Sequence, residues 1–359
     1  MRASAGDGDQ DGSAREETPV APVRPGGRRG PRPAGPATIS RVAEAAGVSR
    51  ATVSRVMNGS PTVNPELAAR VRAAAEELDY EPSVAARRLA LGRTGTVALV
   101  VPDLANPLFQ GVLRGLSQAA GQAGRQLLVA ESDEDPEEEV ILALEARRNS
   151  DGLVLASPRA PGGRLRALSD RLAPFVLVYR EIPDLGAPSL SIDNAAGIGE
   201  IVAHLTGLGH RRVAYLAGPA GSAGNAERLA ALRAAPGLDL TVLPCGSMFD
   251  HGHAAAPAVV ECGASAVVGF NDMVASGVLT GLHELDVRVP GEVSVTGFDD
   301  IPFARYTTPP LTTVSIPKSE LGRQACERLW ALMNGESGGY DVRYRPRLLV
   351  RDSTGPAPS

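Results

Sequence analysis

Cysteine is scarce: Cys245, Cys262 and Cys326 are all that 359 residues contain, and none forms a CxxC pair. Too few and too scattered to staple a fold, they read as free thiols in a reducing compartment. Long apolar runs are missing too, since no stretch approaches the roughly 18 uninterrupted apolar residues of a membrane span. The opening MRASAGDGDQDGSAREE has no apolar core of the kind a secretory signal needs. A protein with no membrane role that stays in the cytoplasm is expected.

Signatures of catalysis are equally absent. No GxSxG elbow, HExxH helix or spaced carboxylate pair with a credible neighbourhood appears. GPAGSAGNAER fits neither GxGxxG nor GxxxxGK[ST] and reads as a glycine-rich loop. His251 and His253 near Cys245 lack a zinc spacing, so a solvated loop is expected there. ESDEDPEEE reads as a helix entrance instead of a calcium site, with Asp135 as N-cap, Pro136 at the first helical position and Glu138 at N3. No catalytic residue, no metal and no cofactor is expected.

What is present is an ordinary globular balance, 43% hydrophobic and 21% charged, long enough for two or three domains. The net charge of -5 argues against a wholesale nucleic-acid coat, yet an average can hide a local basic patch. Residues 1–37, rich in Gly, Pro, Ala and charge, are expected to be a disordered tail. Its Arg24, Arg28, Arg29 and Arg32 either touch phosphate loosely or are simply solvated.

From Thr38 the pattern turns helical. Thr38 can cap a helix over Ile39–Ala46 that buries Val42, Ala43 and Ala46, and Gly47 supplies a left-handed stop. Ser49 then caps a second helix whose Val53, Val56 and Met57 face the same core, leaving Arg50, Ala51, Ser54 and Arg55 on the opposite face. A third follows Asn64 and Pro65, contributing Leu67, Val71 and Leu78. The unit is either a helix-turn-helix or a small bundle with solvated arginines.

After Gly95 buried strands such as TVALVV, DGLVLA, FVLVY and VSVTGF alternate with amphipathic helices. That order requires crossover connections and parallel sheets covered on both faces. There are too many units for one compact sheet. The expected class is therefore α/β, with two doubly wound lobes and a ligand cleft where strand C-terminal ends face each other.

The ordered runs TISRVAEAAGVSRATVSRVMNG, TVNPELAARVRAAAEELDYEPSVAARRLALGRTGTVALVVPDLANPLF and VTGFDDIPFARYTTPPLTTVSIP resemble the lactose-repressor and galactose-repressor (LacI/GalR) family of bacterial transcription regulators. The resemblance covers nearly everything after residue 37. It implies a three-helix DNA-binding domain over 38–82, a hinge helix over 83–93 and a two-lobed, periplasmic-binding-protein-like core over 94–359. The helix from Ser49 to Asn58 would enter the major groove, with Arg50 and Ala51 at base edges and Arg55 in reach. An arginine gripping guanine through two hydrogen bonds is worth roughly 1–3 kcal/mol of discrimination, and Ala51 offers a methyl contact to thymine. Thr38 and Ser49 also fall among the implied DNA contacts, and Thr52, Ser54 and Asn58 are better placed for phosphate or for holding the helix. Arg41 departs from the acidic residue usual in the family: it either simply forfeits the reciprocal cap or contacts phosphate instead.

In the implied hinge EPSVAARRLALG, Leu89 is the wedge that unstacks a minor-groove base step, with Ala85 and Ala86 small enough for close helix contact and Ala86 at the DNA. Ser83 replaces the usual Asn. In the core the resemblance aligns Asp103, Asn106, Phe109, Asp193, Arg228, Asn271 and Asp299 with effector contacts. Such groups can saturate sugar hydroxyls, although Asp193 and Asp299 could instead cap helices and Arg228 could pair with Glu227 or Asp193. Phe249 is a weaker candidate, as a platform for a sugar face. The expected protein is a homodimeric repressor on a palindromic stretch of double-stranded DNA, nucleoid-associated when bound, its affinity set allosterically by a small effector of the sugar class. The rival reading is a sugar-binding protein of the periplasmic type without a transcriptional role.

Overall fold

The computed structural model describes residues 37–58, 62–80 and 93–358. The chain divides into two compact units, Met1–Ser83 and Val84–Ser359. The N-terminal tail up to residue 36 and the hinge residues Ser83, Ala85, Ala86 and Leu89 lie outside the described residues.

In the first unit α1 (Ile39–Ala46), α2 (Arg50–Met57) and α3 (Pro65–Glu77) close a small core around Val42, Val53, Val56 and Val71. Each helix starts on a side-chain cap: Thr38 Oγ1 accepts from Arg41 N–H, Ser49 Oγ from Thr52 N–H at 3.2 Å, and Asn64 Oδ1 from Glu66 N–H at 2.8 Å. Gly47 ends α1 at φ 66°, and the next N–H, of Val48, returns to Ala43 O at 2.9 Å. Met57, Leu67 and Leu78 are only half-buried. The middle of the inner face of α3 is held by Ala68, Val71, Ala74 and Ala75, mostly small side chains that let three short helices approach.

The second unit has two six-stranded sheets. One contains β1 (Thr96–Val101), β2 (Gln126–Glu131), β3 (Gly152–Ala156), β4 (Phe175–Val178), β5 (Ser189–Ile192) and β11 (Val342–Tyr344), in the order β11-β5-β4-β3-β1-β2 and parallel throughout. The other contains β6 (Arg212–Ala217), β7 (Asp239–Pro244), β8 (Ala266–Gly269), β9 (Ser294–Asp299), β10 (Thr312–Ser315) and β12 (Arg347–Leu349), in the order β12-β10-β9-β8-β6-β7. Only the β12 edge is antiparallel, an exception to the all-parallel expectation. Helices α4 (Pro107–Gln122), α5 (Pro136–Arg148), α6 (Gly162–Leu172), α7 (Asn194–Gly207), α8 (Ala223–Ala234), α9 (Phe249–Glu261), α10 (Asp272–Glu284) and α11 (Lys318–Met333) cover the sheets. The chain passes between lobes after β5, after β10 and between β11 and β12.

Asp135 caps α5 as its sequence implies, accepting from Glu137 N–H at 2.7 Å. The histidines expected in a solvated loop instead lie on α9: His251 Nδ1 accepts from Met248 N–H at the helix start, and His253 pairs with Glu284 on α10. Among the described residues no cluster of His, Cys, Asp and Glu is arranged to hold a metal.

Helices α4 and α11 touch backbone to backbone, because a Cβ on Gly115 would lie 1.9 Å from Ser319 O and one on Gly322 would lie 2.1 Å from Val112 O. Neither atom can yield without moving a helix. Gly115→Ala is therefore expected to cost about 1–3 kcal/mol by overpacking, read as a drop of several degrees in the thermal melt; an unchanged melting temperature contradicts the close approach.

Candidate DNA-reading face and effector cleft

On the first unit Arg50, Ala51 and Arg55 are exposed along one side of α2, with Ser54 half-buried beside them. Arg55 lies back along its own helix, Nε donating to Ala51 O at 3.5 Å, and Asn58 Nδ2 donates to Ser54 Oγ at 3.4 Å. The hydroxyls of Ser49 and Thr52 bond each other at 3.0 Å, so the start of α2 is internally satisfied. Arg70 on α3 donates through Nη2 to Ala46 O and sits 3.3 Å from where a Gly47 Cβ would be. It caps the C-terminus of α1 and fixes the turn. Nothing in the apolar spacing of α3 signals that role.

In the second unit the C-terminal ends of strands from both sheets line one cavity, about 510 Å³ of atom-free space with its mouth included. Asn106 caps α4 by accepting from Leu108 N–H at 3.0 Å, and Phe109 in the first turn of α4 packs edge-on against Tyr179, centroids 6.4 Å apart. From the opposite lobe Asn271 caps α10 through Val274 N–H and donates to Ser247 O, both at 2.9 Å. Helix starts on both sides thus point their first N–H groups toward the cavity.

Arg228, 7% exposed, is the hub of the far wall. Its Nε donates to Asn194 Oδ1 at 2.9 Å, Nη1 donates to Phe270 O, and the guanidinium lies 3.6 Å from the Phe298 ring centroid. Its charge partner is Asp299, with Nη2 3.6 Å from Oδ1; neither Glu227 nor Asp193 plays that part. Asp299 Oδ1 and Tyr179 OH are both buried without a hydrogen-bond partner. Burial pushes the Tyr179 phenol well above its usual range, and the neighbouring Asp299 adds to the shift.

Of the seven aligned core residues, Asn106, Phe109, Arg228, Asn271 and Asp299 line the cavity. Asp193 does not: its carboxylate accepts from Ala196 N–H at 2.9 Å and caps α7, while the next residue, Asn194, faces the cleft. Asp103 also lies off the lining, bound to Ala105 N–H at 2.7 Å. Phe249 starts α9 away from the cavity, where Ser247 stands instead. Sequence reasoning missed Arg159 and Glu134. Arg159 binds Glu134 through Nε and Nη2 and Ser157 through Nη1, while buried Glu139 holds its loop by accepting from the N–H groups of Arg159 and Ala160. The acidic run ESDEDPEEE was the visible signal: its extra charge reads as favourable at a helix start, yet Glu134 is turned to Arg159 instead.

Two families of sequence match the chain: bacterial regulatory proteins of the lacI family over residues 38–83 and the periplasmic binding protein-like domain over residues 202–354. The transcriptional regulator reg1 of Streptomyces lividans is 33% identical over 345 residues, 89% of this chain and 97% of that protein. CelR of Thermobifida fusca is 33% identical over 333 residues, 88% and 98%. Among solved structures, a lac repressor dimer bound to operator and the anti-inducer ONPF has a TM-score of 0.78 at 25% identity, covering 89% of this chain and 99% of that one. A CelR–cellobiose complex has 0.65 at 30%, covering 88% and 99%. A helix-turn-helix unit followed by a two-lobed binding core defines a DNA-binding transcriptional regulator. The chain belongs to the lacI family of bacterial regulatory proteins.

Asp299 stores energy in the cleft. Burial pushes its carboxyl up to about 6 from 3.8, against the opposing pull of Arg228 and Lys318. A carboxyl raised in the folded state binds more protons folded than unfolded, so this contribution to stability is present below pH 3.8 and is lost as pH rises through about 6. At neutral pH the charged form costs on the order of 2–3 kcal/mol. Asp299→Asn is therefore expected to raise the melting temperature at pH 7.5 and to change it less at pH 5, measured by scanning calorimetry without ligand; an equal effect at both values contradicts the buried-charge account.

Proposed function

We propose that this regulator acts as a homodimeric repressor, its two copies of α2 reading a palindromic operator in double-stranded DNA, and that a small effector of the sugar class in the core cleft controls its DNA affinity. Its role is regulatory and not catalytic, exercised in the cytoplasm. The observation that carries the effector half is the pair of buried oxygens without a hydrogen-bond partner, Tyr179 OH and Asp299 Oδ1, facing a cavity lined by asparagines and arginines. A buried polar atom left unpaired costs free energy that a hydroxyl-bearing ligand recovers. The DNA half rests on the arginines exposed on α2 and on the likeness to a repressor bound to operator. One helix-turn-helix covers a half-site, which is why a two-fold pair is needed. The proposed domain boundaries are 38–82 for DNA binding, 83–93 for the hinge and 94–359 for the core. A periplasmic-type binding protein shares the two-lobed core, but the α1–α3 unit has no place in one.

The test is a gel shift with palindromes from the DNA flanking the protein's own gene, repeated with sugars added. Arg50→Ala is expected to lose base discrimination, about 1–3 kcal/mol at one operator position, while its circular dichroism stays that of a folded protein. Unchanged operator preference sinks the assignment of the reading face. Leu89→Ala is expected to weaken specific binding more than non-specific binding, and equal loss on both DNAs rejects the wedge.

A further inference from the structure

The charged residues lining the cleft are Glu134, Arg159, Arg228 and Asp299, two of each sign. They are matched within the protein. Arg159 commits four of its five N–H groups to Glu134 and to the carbonyl and hydroxyl of Ser157, with the Nη2–Oε1 bond at 2.8 Å. Its stem lies 3.6 Å from where a Gly221 Cβ would stand, so this neutralised pair, itself part of the lining, packs beside the loop after β6 of the other lobe. Arg228 is tied to Asn194, Phe270 O and Asp299 and is covered by Phe298. Behind the wall, Lys318 Nζ is spent on the backbone oxygens of Asp299, Asp300 and Ile316, and Asp300 is paired with Arg351 at 2.6 Å. Asp272, completely buried, accepts from Thr313 Oγ1 and Ile301 N–H, and burial pushes its carboxyl strongly toward the neutral form. No lining cation is left exposed for an anionic ligand to take up.

The unmet demand has the opposite sense. Asp299 Oδ1 faces Arg228 Nη2 at 3.6 Å, beyond hydrogen-bond reach, and so is an acceptor without a hydrogen-bond donor; Tyr179 OH, near it, also has no hydrogen-bond partner. A hydroxyl can donate to the carboxylate and accept from the phenol or from the amide groups of Asn106 and Asn271. A phosphate or carboxylate ion brings acceptors only, and it would have to displace Glu134 from Arg159 or face Asp299 directly.

We propose that the effector is an uncharged polyhydroxy compound, a free sugar and not its phosphate ester or its uronic acid, and that the Arg159–Glu134 pair together with Asp299 enforces this choice. The inference rests on the sugar-effector reading above. It places the signal before phosphoryl transfer: the protein senses the substrate of a sugar kinase, not the kinase's product.

The experiment is thermal shift followed by calorimetry on the full chain at pH 7.5, with ribose, glucose, galactose and cellobiose set against ribose 5-phosphate, glucose 6-phosphate and galacturonate. A neutral member is expected to bind, with its anionic counterpart about 100-fold weaker or more because of like-charge juxtaposition. An anionic member that binds as tightly as its neutral counterpart overturns the inference while leaving the sugar reading intact; no binding by either set overturns the sugar reading and the inference with it. Glu134→Gln, at a partly exposed side chain, leaves Arg159 uncompensated and is expected to narrow the neutral-to-anionic preference about tenfold. An unchanged preference in a variant that melts like the wild type overturns the role of the pair. Asp299→Asn is expected to weaken the neutral ligand and relieve the repulsion of the anionic one, and loss of both in parallel overturns the role of Asp299.

Discussion

The Arg228 guanidinium, over the Phe298 ring and bonded to Asn194 and the carbonyl of Phe270, is the contact on which the ligand-binding half of the molecule is arranged. Those partners come from the end of β9, the start of α7 and the residue after β8, so one planar cation fixes the spacing of three elements around the cleft. Lysine cannot substitute, having neither the fork geometry nor the flat face. With the guanidinium so held, Asp299 can stay next to it at φ 109°, a conformation that is strained for any residue but glycine. The strain is not isolated: Glu134, Ser157, Tyr179 and Asp300 also have positive φ, and all follow strand ends near the cavity.

Lys318 extends the same arrangement to the other lobe. Its ammonium binds the carbonyls of Asp299 and Asp300, and its backbone opens α11, which packs on α4, β3 and β4 of the other lobe. Gly111 and Gly115 bring α4 against Lys318 and Ser319 with no room for a side chain. Helix α4 in turn begins at Asn106 in the cleft. Asp299 is thus linked to the opposite wall through the Lys318 ammonium and the close packing of Gly111 and Gly115 on Lys318 and Ser319. This is the kind of element that has discrete arrangements, and an effector biases it only by its differential affinity for them.

Much of this was legible in the residues. The period-3.6 apolar spacing, the Thr38, Ser49 and Asn64 caps and the left-handed Gly47 locate α1 to α3 closely, because caps and glycines act locally. The runs of buried residues TVALVV in β1 and GLVLA in β3 announce a sheet covered on both faces. What could not be read was any partner distant in the chain. Asp193 and Asn194 are adjacent, yet one caps a helix and the other meets Arg228, a division set by the direction in which α7 leaves β5. Arg159 and Glu134 are 25 residues apart and meet only because β2 and β3 flank β1. α9 escaped notice because its Gly252 and Pro257 obscure a helical pattern; the glycine is needed where α9 and α10 touch at Val274 O.

The cleft is unfinished without a ligand, and that bears directly on how it can signal. Its orphaned oxygens lie on opposite lobes, Tyr179 after β4 in one sheet and Asp299 at the end of β9 in the other. A hydroxyl between them relieves both costs only at one separation of the lobes. Binding free energy is thus concentrated in contacts that exist in one arrangement and not in another, which is the condition for a ligand to shift an equilibrium and not merely to occupy a site. Glu134 and Arg159, bonded within one lobe, hold their geometry whichever way the lobes sit, so they can select among ligands without adding to the shift. Asp299 enters both selectivity and coupling, since it repels an anion and also forms one of the contacts between lobes; only the share of selectivity that rests on Glu134 and Arg159 is separable from coupling, because it depends on hydrogen bonds within one lobe.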